Sequence, residues 1–533
     1  MLRRGSQVYK VLRTLHGASY FFDASWRKLG GCKLKILLIN IPTYLQNVSG
    51  KRKPDTFPLG LLYIARALME NGHEVSFFDI LAEDISPKDV VTRLNEYKKN
   101  NYDLVGFSAM SVQYIYAKWL SKQIKNIFGN IPIIVGGAAA IHSGKVLLEN
   151  TDVDIVVTGE GEKTIIDLVE KSNYSLINGI GYRNNGNILF TPPADLISDL
   201  DTISFPALEL LNMDIYQKST VYKHQFSNGE SVLLKPFNIC SGRGCPFNCN
   251  FCSRCFPGVR LRSISNIHDE LIYWRKKFDF NYVVFTDELP LINKQRILKL
   301  SEAMSELGLY WCSSARIDVL DNDSLRILKE SGCISLSIGV ETGSQKLLDS
   351  MNKKTMVSKT KEILKEMYNL DIIPSCQLIF GYPGEDEQTI EETYQLFSDI
   401  PLTNAGFYIL TPLPGSKVYN NALESGIIAD EDEYLSSLET GTKDLHINFT
   451  KWSDDKFMEN MDLLTKTINF NGLKVKYGLE FLLREVGEER LIREIGECNT
   501  RKIIGVITTD KKDRNCNSKL FWRIKNFLKS NKH

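Results

Sequence analysis

Short apolar runs recur along the first third of the chain: Ile36–Ile39, Val75–Phe78, Leu104–Phe107, Ile131–Val135 and Ile155–Val157. Each is nearly continuous, as expected of strands buried on both faces. Helical patterns lie between them. Pro58 opens one, its apolar side runs Leu61, Leu62, Ala65 and Leu68, and Gly72 follows as a stop. Such alternation predicts a parallel sheet with helices on both sides, which binds ligands beyond the carboxyl ends of its strands. Those ends are small and polar: Ser108, then Gly136-Gly137-Ala138, then Thr158-Gly159-Glu160-Gly161. Glycine there lets a bulky ligand approach the backbone, and it equally suits an ordinary tight turn.

Asp195–Pro206 has turn and acidic residues without periodicity and reads as a linker. A second alternating series follows, with strands expected at Val232–Ile239, Tyr282–Thr286, Tyr310–Ser314, Ile334–Gly339, Ser375–Phe380 and Phe407–Leu410. Helices such as Ser265–Phe278, Lys294–Leu307 and Ser358–Leu370 separate them. Six βα units imply a barrel or partial barrel, whose active site is built from the loops after the strands. Beyond Ala429 the strand signal fades. Asp430–Lys476 reads as helical, and Lys511–His533 as a basic, loose tail.

Composition narrows the function. A net charge of +1 gives no electrostatic case for nucleic acid or acidic lipid. No apolar run reaches the ~18 residues of a membrane helix. Met1–Lys35 is interrupted by charged residues and is no secretory signal, and the cysteine count, 11, is odd. A reduced, cytoplasmic protein is expected. Five of those cysteines fall in the 16 residues Cys240–Cys255, in the first loop of the barrel series. Cys245 and Cys249 have three residues between them, Cys249 and Cys252 two. Zinc normally takes close pairs from two segments, whereas three thiolates on one wrapped loop suit three irons of a cubane cluster. A zinc knuckle of Cys245, Cys249, Cys252 and Cys255 is the competing reading.

In this setting the chain resembles radical S-adenosylmethionine (SAM) enzymes, which carry Cys-x-x-x-Cys-x-x-Cys in the first barrel loop and an aromatic residue, here Phe251, before the third cysteine. The resemblance implies a [4Fe–4S] cluster on Cys245, Cys249 and Cys252, its fourth iron left for SAM. Further segments match in order. Phe285-Thr286-Asp287-Glu288 would lie near the methionine amine, and Ser313-Ser314-Ala315-Arg316 ends the next strand. In Gly339–Ser344, Glu341 would approach the ribose. Phe380-Gly381-Tyr382-Pro383-Gly384-Glu385 would lie beside the adenine. Alone, Glu288 and Glu341 also fit solvated rim carboxylates, and Gly381 and Gly384 plain turns.

The first domain is similar to the cobalamin-binding domain of one subfamily, through Pro58-Leu59-Gly60-Leu61 and Asp154–Glu162. Cobalamin's nucleotide tail would then pack against Ser108, Gly136, Gly137 and Gly159. One departure stands out: the loop Asn40–Gly50 holds no histidine, and neither His73 nor His142 fits the cobalt-ligating motif. The expected fold is α/β: a 1–34 extension, a Rossmann-like cobalamin-binding domain over 35–175, a 176–228 linker, a partial (β/α)6 TIM-type barrel over 229–428 and a mainly helical region over 429–533. The resemblance implies a 5′-deoxyadenosyl radical that takes hydrogen from an unactivated carbon, with cobalamin-dependent methylation as the best single reaction. Radical cyclisation or oxidative rearrangement, and a non-catalytic zinc- or cobalamin-binding protein, are the alternatives. A small-molecule substrate and an electron donor such as flavodoxin or ferredoxin complete the picture. A methylthiotransferase would need a second cysteine trio, and only Cys32 precedes Cys240.

Overall fold

The computed structural model describes residues 33–43, 54, 56–171, 173–403, 405–441 and 444–477. Most of the Asn40–Gly50 loop, Cys32, Cys498, Cys516 and the basic tail therefore lie outside the described residues.

The first sheet has seven strands in the order β2-β1-β3-β4-β5-β6-β7. Its parallel part comprises β1 (Lys35–Asn40), β2 (Glu74–Asp79), β3 (Leu104–Ser108), β4 (Ile133–Gly136) and β5 (Ile155–Val157). The connections carry α1 (Leu59–Glu70), α2 (Pro87–Tyr97), α3 (Tyr114–Phe128) and α4 (Ala138–Asn150), and α5 (Gly161–Glu170) follows β5. Ile36 to Ile39 are at most 2% exposed, which explains why the strand reads as unbroken hydrophobic sequence. Because β1 lies between β2 and β3, the switch point falls at Asn40 and Ser108.

The expected linker is corrected here. β6 (Ile180–Asn184) and β7 (Asn187–Phe190) extend the first sheet as an antiparallel hairpin, so only the segment after Phe190 connects the two halves. The expected strand Val232–Ile239 is also two strands. β8 (Tyr222–Gln225) and β9 (Ser231–Leu234) form a separate hairpin, and β10 (Pro236–Ile239) enters the barrel. Pro236 marks the break, since it has no N–H to continue the β9 ladder.

The second sheet is all parallel: β10, β13 (Tyr282–Phe285), β14 (Tyr310–Ala315), β15 (Cys333–Glu341), β16 (Ile373–Phe380) and β17 (Gly406–Ile409), in that order. Its crossovers contain α6 (Ile264–Arg275), α7 (Lys294–Leu307), α8 (Asn322–Glu330), α9 (Val357–Asn369) and α10 (Glu387–Leu396). Two short strands, β11 (Gly242–Arg243) and β12 (Arg260–Leu261), pair antiparallel within the first crossover.

The two halves share a core. Phe57, Leu59, Leu62 and Tyr63 of the first domain pack into the barrel's apolar cluster. The Phe57 ring meets Tyr216 and Phe237 edge-on, each at 5.4 Å between centroids. The chain after β17 divides between both partners. In α11 (Lys417–Glu424) and α12 (Glu431–Ser437), Tyr419, Tyr434 and Leu435 join the core of the first domain. Asp432 there accepts from Tyr114 Oη at 2.5 Å and Lys118 Nζ at 2.6 Å. The helix expected over Asp430–Lys476 is interrupted between Gly441 and Ser453. It resumes as α13 (Asp454–Tyr477), whose Phe457 packs against Phe380 of the barrel.

Candidate functional site

The cysteine loop follows β10 and is closed at its base by the β11–β12 ladder. Gly244 makes the closure possible. Its φ is +82°, and a Cβ there would stand 2.6 Å from the Gly258 carbonyl oxygen. The loop is tied to the segments that follow β15 and β17. Asn250 N–H donates to Met351 O at 2.9 Å, Asn250 Nδ2 to Ser350 O at 2.7 Å, and Ser253 Oγ to Pro414 O at 2.5 Å. Phe251 packs with Leu347, Met351, Tyr382, Leu410 and Val418. A cavity of about 330 Å³ borders this cluster, lined by Asn250, Tyr382, Lys417 and Asn421, and no thiol faces it.

All eight described cysteines are free. The Cys252 thiol is pushed up to about 11, by burial first and then by the adjoining Cys249 and Cys245 thiols. Cys255 is pushed up to about 11 by burial and by Glu288, outside that trio. Cys240 is pushed up to about 12 by burial and then Asp287, and its Sγ donates to Gly242 O at 3.0 Å. Of the loop's thiols, Cys249 and Cys245 thus lie near enough to Cys252 to act on its charge. No three such side chains among the described residues are placed around a single metal ion. A cubane asks for something different: one thiolate on each of three irons, with sulfurs disposed around a cage. The three residues fit that group better than a zinc ion held by four.

The following strand ends are occupied by charged side chains. Asp287 is buried and accepts from Ser241 N–H and Oγ, both at 2.8 Å. Burial pushes its carboxyl up to about 6 against those bonds. Glu288 is exposed, and its Oε2 accepts from Gly244 N–H at 3.2 Å. Arg316 is buried. Its guanidinium lies 3.6 Å from the Phe247 ring centroid, Nε donates to Asp318 at 2.8 Å and Nη2 to Lys353 O at 2.8 Å. Arg316 therefore braces the cysteine loop from below.

Glu341 sits at a bulge in the β15–β16 pairing with φ +63° and is 5% exposed. Lys353 Nζ donates to its Oε1 at 2.5 Å, and that ammonium lies 5.8 Å from the Phe251 ring centroid. Gly339 makes room: a Cβ there would stand 2.5 Å from Glu341 Oε1 and 2.6 Å from Lys353 Nζ. Lys353 was not singled out from the sequence, where it is one of two consecutive lysines in a polar turn. Gly381 has φ +91°, and a Cβ on it would strike the Phe457 ring at 2.6 Å, a packing reason for glycine quite apart from adenine. Its N–H donates to buried Glu385, whose carboxyl burial pushes up to about 8.

In the first domain the small residues divide. Gly137 (φ +86°) is required by its own chain: a Cβ would stand 2.5 Å from Ser108 Oγ and 2.7 Å from Ala109 O. Gly136, paired in register with Ser108, has open space in that direction, with nothing within 4 Å. Gly159 is nearly as open, with Ala194 Cβ at 4.0 Å. Open space at Gly136 and Gly159 fits the tail of a bulky cofactor; Gly137 is explained without one. His142 lies on α4 with its ring against Gly415, next to the Pro414 that Ser253 holds.

Comparisons with known proteins agree with this architecture. The Radical SAM superfamily pattern matches residues 239–397, and the B12 binding domain pattern matches residues 46–169. An uncharacterized methyltransferase of Pyrococcus horikoshii is 29% identical over 408 residues, covering 74% of this chain and 84% of the relative. An anaerobic magnesium-protoporphyrin IX monomethyl ester cyclase of Rubrivivax gelatinosus is 28% identical, covering 71% and 68%. Among solved structures, the cobalamin-dependent SAM radical enzyme OxsB superposes with TM-score 0.61 at 15% identity, over 93% of this chain and 83% of that one. The radical SAM methyltransferase TsrM of Kitasatospora setae superposes with TM-score 0.59 at 15% identity, over 74% and 77%. The chain thus carries a B12-binding domain at residues 46–169 and, after it, a domain of the radical SAM superfamily at residues 239–397.

Proposed function

We propose that this protein methylates an unactivated carbon of a small molecule, using a [4Fe–4S] cluster, SAM and cobalamin. The observation that carries the reading is the close spacing of Cys245, Cys249 and Cys252 on the first barrel loop of a radical SAM domain, in a chain whose other domain is of the B12-binding type. When bound, these groups supply a 5′-deoxyadenosyl radical and a transferable methyl group.

The chain's own residues position and shield. Cys245, Cys249 and Cys252 would hold the cluster, and Cys255, beside Glu288, would stay off it. Gly244 N–H fixes the Glu288 carboxylate at the loop base, where it can meet an amine. The Glu341–Lys353 pair offers a carboxylate to a hydroxyl and an ammonium to a carboxylate. Phe251, Tyr382 and Leu410 form an apolar wall that excludes water from one flank of the loop. Gly136 and Gly159 leave room for the cobalamin tail beside Ser108, and the Asn40–Gly50 sequence offers no histidine to ligate cobalt. The reducing electron would come from a donor such as flavodoxin or ferredoxin.

The test is anaerobic reconstitution with iron, sulfide and cobalamin, followed by reductant and SAM. Formation of 5′-deoxyadenosine and a product heavier by about 14 Da, one CH₂ increment, is expected. The cyclase among the relatives motivates one further arm: product formation without added mass would assign cyclisation or oxidation instead. A colourless zinc protein would end both.

A further inference from the structure

The base of the cysteine loop contains a charge conflict that the loop does not resolve by itself. In the β11–β12 ladder Arg243 stands directly opposite Arg260. Like charges facing each other across an antiparallel pair repel. The counter-charge comes from the other domain. Glu160, which follows Gly159 at the end of β5, has a side chain only 2% exposed. Its Oε1 accepts from Arg243 Nη1 at 2.7 Å and its Oε2 from Arg260 Nη1 at 2.8 Å. The Ile197 N–H also donates to Oε2, at 2.6 Å. Glu162 accepts from Arg243 Nη2 at 2.5 Å, so two carboxylates face two guanidiniums. The Tyr63 ring, with its centroid 5.7 Å from the Arg243 guanidinium, closes one side.

We infer that Glu160 is a positioning residue for the iron–sulfur loop: from the B12-binding domain it neutralises the Arg243–Arg260 cross-strand pair and so lets the base of the loop close in register with the end of β5. The inference rests on the proposed role of that loop as the cluster's holder. It makes closure of one cofactor bed depend on docking of the domain that forms the other. Arg243 is two residues from Cys245 and Gly159 is adjacent to Glu160, so a shift at this junction reaches both beds through very few bonds. Glu162 is the lesser partner, because it touches Arg243 alone.

The test uses the full chain, reconstituted anaerobically, with iron and sulfide per chain and the electron paramagnetic resonance of the reduced cluster as readouts. Glu160→Gln keeps the size and an acceptor oxygen but removes the charge; iron content should fall at least about fivefold, on the scale of breaking a buried pair. A second Arg260→Gln substitution in that chain removes the repulsion and leaves Arg243 with Glu162. It should restore most of the iron and the resonance of the unmutated protein, a recovery that loss of packing would not give. Full iron in Glu160→Gln, or a double variant as depleted or insoluble as the single one, would overturn the inference. Absence of a [4Fe–4S] cluster from the unmutated protein would instead overturn the proposed function.

Discussion

The cysteine loop and the strand ends of the first domain work in opposite ways. In the proposed function Cys245, Cys249 and Cys252 would act through atoms they possess, whereas Gly136 and Gly159 would act through atoms they lack. A thiolate trio at fixed spacing announces its chemistry, because few other arrangements call for it. An open space announces nothing, because a glycine that makes room for a ligand and one that makes room for its own chain are spelled alike. Gly136 and Gly137 show the difference side by side: a Cβ on the first meets nothing within 4 Å, and a Cβ on the second collides with Ser108 and Ala109.

The strongest way to break the contrast is at the thiols. Alanine at Cys245, Cys249 or Cys252 should abolish cluster assembly and SAM cleavage, while alanine at Cys255 or Cys240 should leave iron and sulfide per chain nearly unchanged. Complete loss of iron from Cys255→Ala would mean a four-cysteine site.

Next comes the Glu341–Lys353 pair. Its side chains are 7% and 10% exposed, so Glu341→Ala leaves a buried ammonium without a partner and should destabilise the fold by about 3–5 kcal/mol. Replacing both residues with glutamine should recover most of that loss in a denaturant titration. SAM affinity measured in this double variant then reports the pair's contacts with SAM free of the folding defect; a loss of roughly tenfold to a hundredfold corresponds to a charged hydrogen bond of ~1.5–3 kcal/mol. An unchanged dissociation constant would make the pair purely structural.

A pH titration probes the barrel end further. Burial raises the Glu385 carboxyl from 4.5 to about 8. The folded protein keeps this proton up to about pH 8, whereas the unfolded chain releases it near 4.5. Its stabilising contribution is therefore complete below about pH 4.5 and is lost on rising to about pH 8, by at most ~1.4 kcal/mol per pH unit in that window. Glu385→Gln should remove this part of the stability–pH curve, with Gly381 N–H still given an acceptor. An unchanged curve would show that Glu385 is ionised in the folded protein.

The smallest effects sharpen the contrast most. Gly137→Ala should cost about 1–3 kcal/mol through its positive φ and the contact with Ser108, with or without cobalamin. Gly136→Leu should leave the melting temperature of the apoprotein within a few degrees and lower cobalamin retention. Equal cobalamin retention in Gly136→Leu and the unmutated protein would remove Gly136 from the cofactor bed.

The sequence by itself determined the alternation of strand and helix, the six barrel strands and the cysteine trio, because each is written in short-range pattern. A strand buried on both faces needs a continuous apolar run, and three thiolates on one loop need close spacing. Ile180–Phe190, inside the expected 176–228 linker, is two strands of the first sheet, since an edge hairpin is selected by the strand it joins. Lys353 gave no signal either, and Glu160 showed only as part of a glycine-rich strand end. A lysine among polar neighbours and a glutamate in a glycine-rich turn become a buried ion pair and an interdomain clamp only through partners 12 and 83 residues away. Only the tertiary structure decided these, because the energy of a buried charge depends on the groups that docking brings against it and not on its neighbours in sequence.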